Sequence, residues 1–305
     1  MDFLWTLSEI RTPFLNELFS WITRLGEEII AVVLICTIFW CIDKALAYKI
    51  GISYFISALL VQGIKITMRI ERPWIIDPEF KAVPSALGGA TGYSFPSGHT
   101  QGAAAIYGTI AWNVKNIWIR TACIAAFLAV GFSRMYLGVH TPADVAVGFA
   151  LAAVCTVLVC IYYRGEEISR NHSLVLSLVV LCGSIILLGY SFYLYKSGVI
   201  EREYVSDCCK AAGAGIGCAC GFYTEANYIN FSVKCKNIWM HILKVVLGLA
   251  GVVILRSGIK AVFGTSLAVD TLRYVIIIFW VLAIWPLVIK KFFSVSPEQT
   301  EIVTE

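Results

Sequence analysis

Residues Ser173–Tyr195 read SLVLSLVVLCGSIILLGYSFYLY, an unbroken run without one charged side chain. About 20 apolar residues suffice for a helix to cross the hydrocarbon core of a bilayer, so this run decides the class of fold. The rest of the chain agrees with it. Of 305 residues, 59% are hydrophobic and only 14% charged, with a mean hydropathy of +0.79. A soluble domain carries about 25% charged residues. We therefore expect an all-α, polytopic bundle of about nine membrane-spanning helices, at 27–47, 50–68, 98–114, 117–135, 142–163, 173–195, 206–224, 238–262 and 268–290. The seventh is the weakest by hydropathy, since Ala211–Gly217 is a run of small residues. Small residues nevertheless let helices pack closely in lipid.

Residues 1–24 lack a basic start and a small-residue cleavage site, and Glu9, Arg11, Pro13 and Glu17 break their apolar pattern. They read as a helix lying in the interface, with Phe3, Leu4, Trp5, Phe14, Phe19 and Trp21 on its apolar side. The net charge of +4 is modest, and its lysines and arginines fall in short clusters between apolar runs. That pattern fits membrane topology, not nucleic-acid binding. Placing Lys44/Lys49, Lys115/Arg120, Arg164/Arg170, Lys234/Lys236 and Lys290/Lys291 in the cytoplasm puts the loop 69–96 outside. Arg256 and Lys260 run against the scheme without overturning it. Most of the eleven cysteines lie inside apolar runs, where cysteine behaves as a small hydrophobe. Cys208, Cys209, Cys218 and Cys220 lack any zinc-ligand spacing with histidine, so no metal site is expected.

Chemistry concentrates around the loop 69–96. Lys65, Arg69 and Arg72 recur at i, i+4 and i+7, which places three cations on one face at the end of the second span. Snorkelling to lipid headgroups is the bland explanation. Pro73 is expected to end that helix. Pro96-Ser97-Gly98-His99 opens the third span, with Ser97 as N-cap and Gly98 permitting close approach of a ligand. Free N–H groups at a helix N-terminus suit phosphate oxygens. Ser133-Arg134 is followed by His140, then by Thr141 and Pro142 as cap and first helical residue, and by Asp144 four positions after His140. A carboxylate on one ring nitrogen fixes the tautomer and leaves the other nitrogen nucleophilic. Arg134 adds a planar fork suited to phosphate. His172 and His241 need no special role. The expected topology brings all three clusters to one membrane face, and phosphoryl transfer needs positioning and charge neutralisation above all.

These three stretches together resemble the tripartite signature of the type 2 phosphatidate phosphatase superfamily, matched at every signature position between residues 65 and 144. The resemblance implies His140 as nucleophile, Asp144 as its orienting partner and His99 as general acid. It implies Lys65, Arg72, Ser97, Gly98 and Arg134 as phosphate ligands, and neither metal nor other cofactor. Arg69 is not a signature position. Residues 1–165 would form the catalytic core with its interfacial helix, and 166–305 additional membrane helices packed on it. The function implied is hydrolysis of a lipid phosphate or diphosphate ester (undecaprenyl diphosphate, phosphatidylglycerol phosphate or phosphatidate) through a phosphohistidine, in a bacterial cell membrane with the site facing outward. The bilayer and the lipid substrate are the expected partners.

Three alternatives stand beside that reading. Glucose-6-phosphatase is similar in having nine spans but lacks an acid at the position of Asp144. Vanadium haloperoxidases share the phosphate site but are soluble. A lipid transporter or binding protein with a relic pocket would have lost a catalytic group, whereas His99, His140 and Asp144 are all present.

Overall fold

The computed structural model describes residues 1–165 and 167–293. Among them every regular element is helical: α1 Asp2–Glu9, α2 Pro13–Arg24, α3 Glu28–Thr37, α4 Lys44–Met68, α5 Pro73–Ile76, α6 Pro84–Leu87, α7 Gly98–Asn113, α8 Ile117–Tyr136, α9 Pro142–Tyr162, α10 Arg170–Lys196, α11 Arg202–Thr224, α12 Ile238–Phe263, α13 Leu267–Phe279 and α14 Trp285–Phe292. Wider π turns close α3 and α11 and join α13 to α14. The boundary expected after residue 165 falls beside residue 166, which lies outside the described residues, as do 294–305.

Local chemistry sets most helix starts. Asp43, Ser97, Asn116, Thr141, Ser169, Asn237 and Ser266 each accept a backbone N–H of the first turn they precede. Such caps satisfy amides that the helix itself leaves unpaired. Thr141 adds a full capping box with Asp144, and Pro142 takes the first helical position as expected.

The count of nine spans is not reached. Among the described residues six helical stretches are long and apolar enough to cross a membrane, and a seventh if the α2–α3 pair, bent by 45°, acts as one. With that pair counted for the first expected span, the two that fall short are α7 and α11. Both lie inside the bundle: α7 packs on α4, α8 and α9, and α11 on α4, α10 and α13. A helix walled by protein on several sides has less need of an apolar surface, so hydropathy alone is a poor guide to it. In α11 the small residues carry the packing. A Cβ at Gly217 would stand 2.6 Å from the Val275 carbonyl oxygen, and one at Gly221 2.7 Å from Leu282 Cβ.

The interfacial helix expected over 1–24 is two helices. The chain breaks at Ile10–Thr12, where Thr12 caps α2 and Pro13 begins it. Arg11 is the reason the break persists. Its Nε donates to the Tyr136 carbonyl oxygen at 3.0 Å and its Nη1 to that of Lys81 at 2.6 Å, tying the break to the end of α8 and to the loop. Leu4 is buried, whereas Phe14 and Trp21 stand out from the fold at 74% and 58% exposure.

Candidate active site

Lys65 is in the last turn of α4, Gly98 and His99 in the first turn of α7, Arg134 near the end of α8, and Asp144 in the first turn of α9. These ends converge. Lys65, Arg72, Gly98, His99 and His140 line one cavity of about 170 Å³. Ser97, Arg134 and Asp144 lie behind its wall, none more than 2% exposed.

His140 sits between two partners. Its Nδ1 is 3.3 Å from Asp144 Oδ2, and its Nε2 is 2.9 Å from Arg72 Nη1. A guanidinium can only donate, so Nε2 accepts and the proton belongs on Nδ1, facing the carboxylate. Asp144 Oδ2 is itself held by the Ser94 hydroxyl at 2.6 Å and the Thr141 amide at 2.8 Å. Burial holds the His140 imidazole well below its usual pKa, and the charges of Arg72, Arg134 and Lys65, with His99, push the same way. It is therefore neutral near pH 7.

The cations are braced by backbone carbonyls of the loop. Arg72 donates to the carbonyl oxygens of Thr91 at 2.6 Å, Gly92 at 2.9 Å and Val139 at 3.0 Å. Lys65 Nζ donates to that of Tyr93. Residues 91–93 thus hold both groups, and the Ser94 amide bonds back to the Ile70 carbonyl oxygen at 2.8 Å. Arg134 donates Nη1 to Thr23 Oγ1 at 2.9 Å, while its Nε and Nη2 are buried without a hydrogen-bond partner among the described residues. Ser97 caps α7 through the Thr100 amide, and its own amide donates to the Asp144 carbonyl oxygen at 3.0 Å. That bond joins the His99 element to the His140 element.

One expectation fails here. Lys65, Arg69 and Arg72 do not share a helical face, because α4 stops at Met68 and Arg69 turns left-handed at φ 50°. Arg69 is exposed and outside the cavity, its Nη1 donating to Ile66 O. Arg72 reaches in from the turn that follows, and Pro73 begins α5 instead of ending α4.

Several groups escaped the sequence reading. Ser94 and Thr23 bond to site residues from 50 and 111 positions away. Tyr204 and Asp207 of α11 line the cavity too, with Tyr204 stacked on Tyr93 at 4.1 Å. No local pattern marks any of the four. The eleven cysteines are all free thiols, and no group of three His, Cys, Asp or Glu side chains gathers among the described residues in a metal-holding arrangement.

Comparison with known proteins bears on the family of the chain. The PAP2 superfamily profile matches residues 46–168, and a second, described as a PAP2 superfamily phosphatase transmembrane extension, matches 209–297. Phosphatidylglycerophosphatase B of Bacillus subtilis is 32% identical over 170 residues, which cover 49% of this chain and 76% of that protein. An undecaprenyl-diphosphatase of Sulfolobus acidocaldarius is 30% identical over 145 residues, 46% of this chain and 66% of that one. Among solved structures, LpxE of Aquifex aeolicus matches with a TM-score of 0.46 and 22% identity, covering 53% of this chain and 94% of that one. A phosphatidylglycerolphosphate phosphatase from Bacillus subtilis matches with a TM-score of 0.44 and 27% identity, over 53% of this chain and 82% of that one. The tripartite motif folded into one pocket, the two profiles side by side and the long match to the first relative identify the chain as a member of the PAP2 superfamily, the same type 2 phosphatidate phosphatases its motifs resemble.

Proposed function

We propose that the protein hydrolyses a lipid phosphate or diphosphate ester through a phosphohistidine formed on His140. The observation that carries this reading is the pairing of His140, Nδ1 against Asp144 and Nε2 beside Arg72, in a cavity that also exposes Lys65, Gly98 and His99. The Nε2 lone pair attacks phosphorus, an N–P bond forms, and the bond to the leaving oxygen breaks. His99 protonates that oxygen; a phosphoryl dianion in the pocket favours the cationic form it needs. Water then attacks the phosphohistidine as His99 takes its proton, the N–P bond breaks, and phosphate leaves. Lys65, Arg72 and Arg134, with the amides at the start of α7, oppose the charge on the phosphoryl oxygens throughout.

In this reading residues 1–165 carry every group assigned to the chemistry, and the later helices pack on that core. The site faces away from the cytoplasm, as the lysine and arginine pattern suggests. Single cysteines at Ala82 and Asn116, in a background whose native thiols are silent, test this with an impermeant maleimide on intact cells. Labelling at Asn116 and not at Ala82 would reverse the orientation.

The test of the activity is phosphate release by purified protein from undecaprenyl diphosphate, phosphatidylglycerol phosphate, phosphatidate and glucose 6-phosphate. Release from a lipid ester that continues in chelator and stops in vanadate, an analogue of the transition state, is expected. Preference for glucose 6-phosphate, or activity lost in chelator and restored by magnesium, counts against it.

A further inference from the structure

A second cavity, of about 350 Å³, adjoins the first and shares Thr91 and Asp207 with it. Its far walls come from the first turns of α11, from Thr265 and from the start of α13; of these residues Lys210, Thr265 and Asp270 fall in the part of the chain matched by the transmembrane extension. We propose that this cavity is a leaving-group subsite that binds a hydroxyl-bearing headgroup, of the glycerol or sugar class, carrying the phosphate to be removed. It deepens the phosphatase reading and rests on it.

The argument begins with the junction. Asp207 Oδ2 lies 3.8 Å from where a Cβ of Gly92 would stand, and Gly92 is one of the residues whose carbonyls brace Arg72. Tyr204, one turn earlier on α11, stacks on Tyr93, whose carbonyl holds Lys65. Helix α11 therefore touches the segment that holds both Lys65 and Arg72. A substrate whose phosphoryl group meets Lys65 and Arg72 has a polar chamber directly beside it.

The lining then selects among leaving groups. The chamber presents three carboxylates, Glu203, Asp207 and Asp270, against two cations, Arg202 and Lys210, together with the hydroxyls of Thr91, Ser206 and Thr265. Most of these charges are already answered. Lys210 donates to Asp207 at 2.8 Å, Arg273 to Asp270 at 2.7 Å, Ser206 to Asp270 at 3.1 Å, and Arg202 to the Thr265 carbonyl oxygen at 2.9 Å. With Arg273 counted, three carboxylates meet three cations, so the lining has no surplus positive charge to hold a second phosphate dianion. A prenyl chain would strip water from paired charges and give nothing in return. A polyol matches the walls, because each hydroxyl both donates and accepts and can enter alternating donors and acceptors without displacing an ion pair.

The test compares three monophosphate substrates on detergent-purified full-length protein: phosphatidylglycerol phosphate, a polyprenyl phosphate and para-nitrophenyl phosphate. Lys210→Met and Ser206→Ala remove hydrogen-bonding groups from the chamber, and Thr265→Phe fills it from the opposite wall. We expect the ratio of kcat/KM for the glycerol ester to that for the prenyl ester to fall about tenfold or more in Lys210→Met and Thr265→Phe, the size of one or more lost hydrogen bonds. Ser206→Ala should lower it less. Para-nitrophenyl phosphate, which has no headgroup, reports whether each variant has folded, and Ser206→Ala stands in should a larger change prevent folding. Ratios within about twofold of the wild type in every folded variant, or a wild type that favours the prenyl ester, overturn the subsite alone. A wild type that releases phosphate from none of the three overturns the phosphatase reading and the subsite with it.

Discussion

Arg72 Nη1 lies 2.9 Å from Nε2 of His140, so the nitrogen proposed to attack phosphorus is covered by a cation. The contact does two things. It selects the tautomer with the proton on Nδ1, facing Asp144 Oδ2 at 3.3 Å, and it opposes protonation of the ring. When a phosphoryl group enters, its oxygens are better acceptors for the guanidinium than a neutral imidazole, because both partners of that bond are charged. In the proposed reaction the arginine would then turn to the phosphate and uncover the lone pair, coupling binding of the phosphoryl group to exposure of the nucleophile through one side chain.

The first prediction follows from the charge state of His140. Burial, then Arg72, Arg134, Lys65 and His99, hold its pKa well below the ordinary imidazole value of about 6.5. In the proposed mechanism the active form is neutral, so kcat/KM should persist as pH falls through 6.5 and decline only below it, once the ionisation of the substrate is allowed for. The stability sign is fixed as well. Below about pH 6.5 the unfolded chain binds a proton at this position that the folded protein refuses, so this contribution to stability is lost as pH falls through that value. Removing one cation with Arg72→Met should raise the acid limb of the residual activity. A wild-type limb at or above pH 6.5, unmoved by the variant, would contradict this.

A second prediction concerns Thr23, contributed by α2. Arg134 donates one nitrogen to Thr23 Oγ1 at 2.9 Å and keeps Nε and Nη2 without hydrogen-bond partners among the described residues. Thr23→Val keeps the shape and removes the acceptor, a loss of about 1 kcal/mol for such a bond and more where the donor is charged. If Arg134 binds phosphate as proposed, Thr23 is its positioning residue and should affect substrate binding first. We expect KM to rise several-fold with little change in kcat, and vanadate to bind correspondingly less well. A lowered melting temperature with unchanged KM would leave Thr23 a purely structural role.

The third prediction tests how α7, which carries His99, and α9, which follows His140, are held together. A Cβ added at Gly148 on α9 would stand 2.8 Å from the Ser97 carbonyl oxygen and 3.4 Å from Thr100 Cβ on α7. Both neighbours belong to the capped start of α7 and cannot swing away as a flexible side chain would. Gly148→Ala should therefore push α7 from α9, at the roughly 1–3 kcal/mol typical of overpacking. The Ser97–Asp144 backbone bond lies at this crossing, so kcat should fall together with the melting temperature. Unchanged kcat in the variant would show that the spacing of α7 and α9 is not critical.

What could be read from the chain divides along the range of the interactions. The capping of α7 by Ser97 and of α9 by Thr141, and the approach of Asp144 to His140, involve residues three or four apart, and each was legible as a spacing. The end of α4 was not. Nothing in Ile66–Glu71 resembles a stop signal, and Arg69 adopts a positive φ that glycine or asparagine would ordinarily announce. The membrane class was plain from hydropathy, yet α7 and α11 did not behave as ordinary spans, because protein surrounds much of their surface. Tyr204 and Asp207 enter the cavity through the packing of α11 on α4, which no local pattern encodes.

The last prediction separates the two histidines by what each owes to the leaving group. Both border the same cavity, but only His140 has a carboxylate on its ring and a guanidinium on its second nitrogen. If His140 attacks phosphorus, His140→Ala removes the covalent route for every substrate, whether its leaving group is good or poor. If His99 protonates the departing oxygen, its loss costs about 10²–10⁴ in rate for a lipid alcohol. An aryl phosphate leaves as a stabilised anion and should lose far less. Asp144→Asn keeps the imidazole but replaces an oxygen that three donors now share, so it should fall between the two. Phosphate release by each variant from a lipid monophosphate and from para-nitrophenyl phosphate decides the matter, with folding checked by gel filtration in detergent. Rescue of His140→Ala by the aryl ester would reverse the assignments, and rescue of neither variant would remove the support for His99 as the general acid.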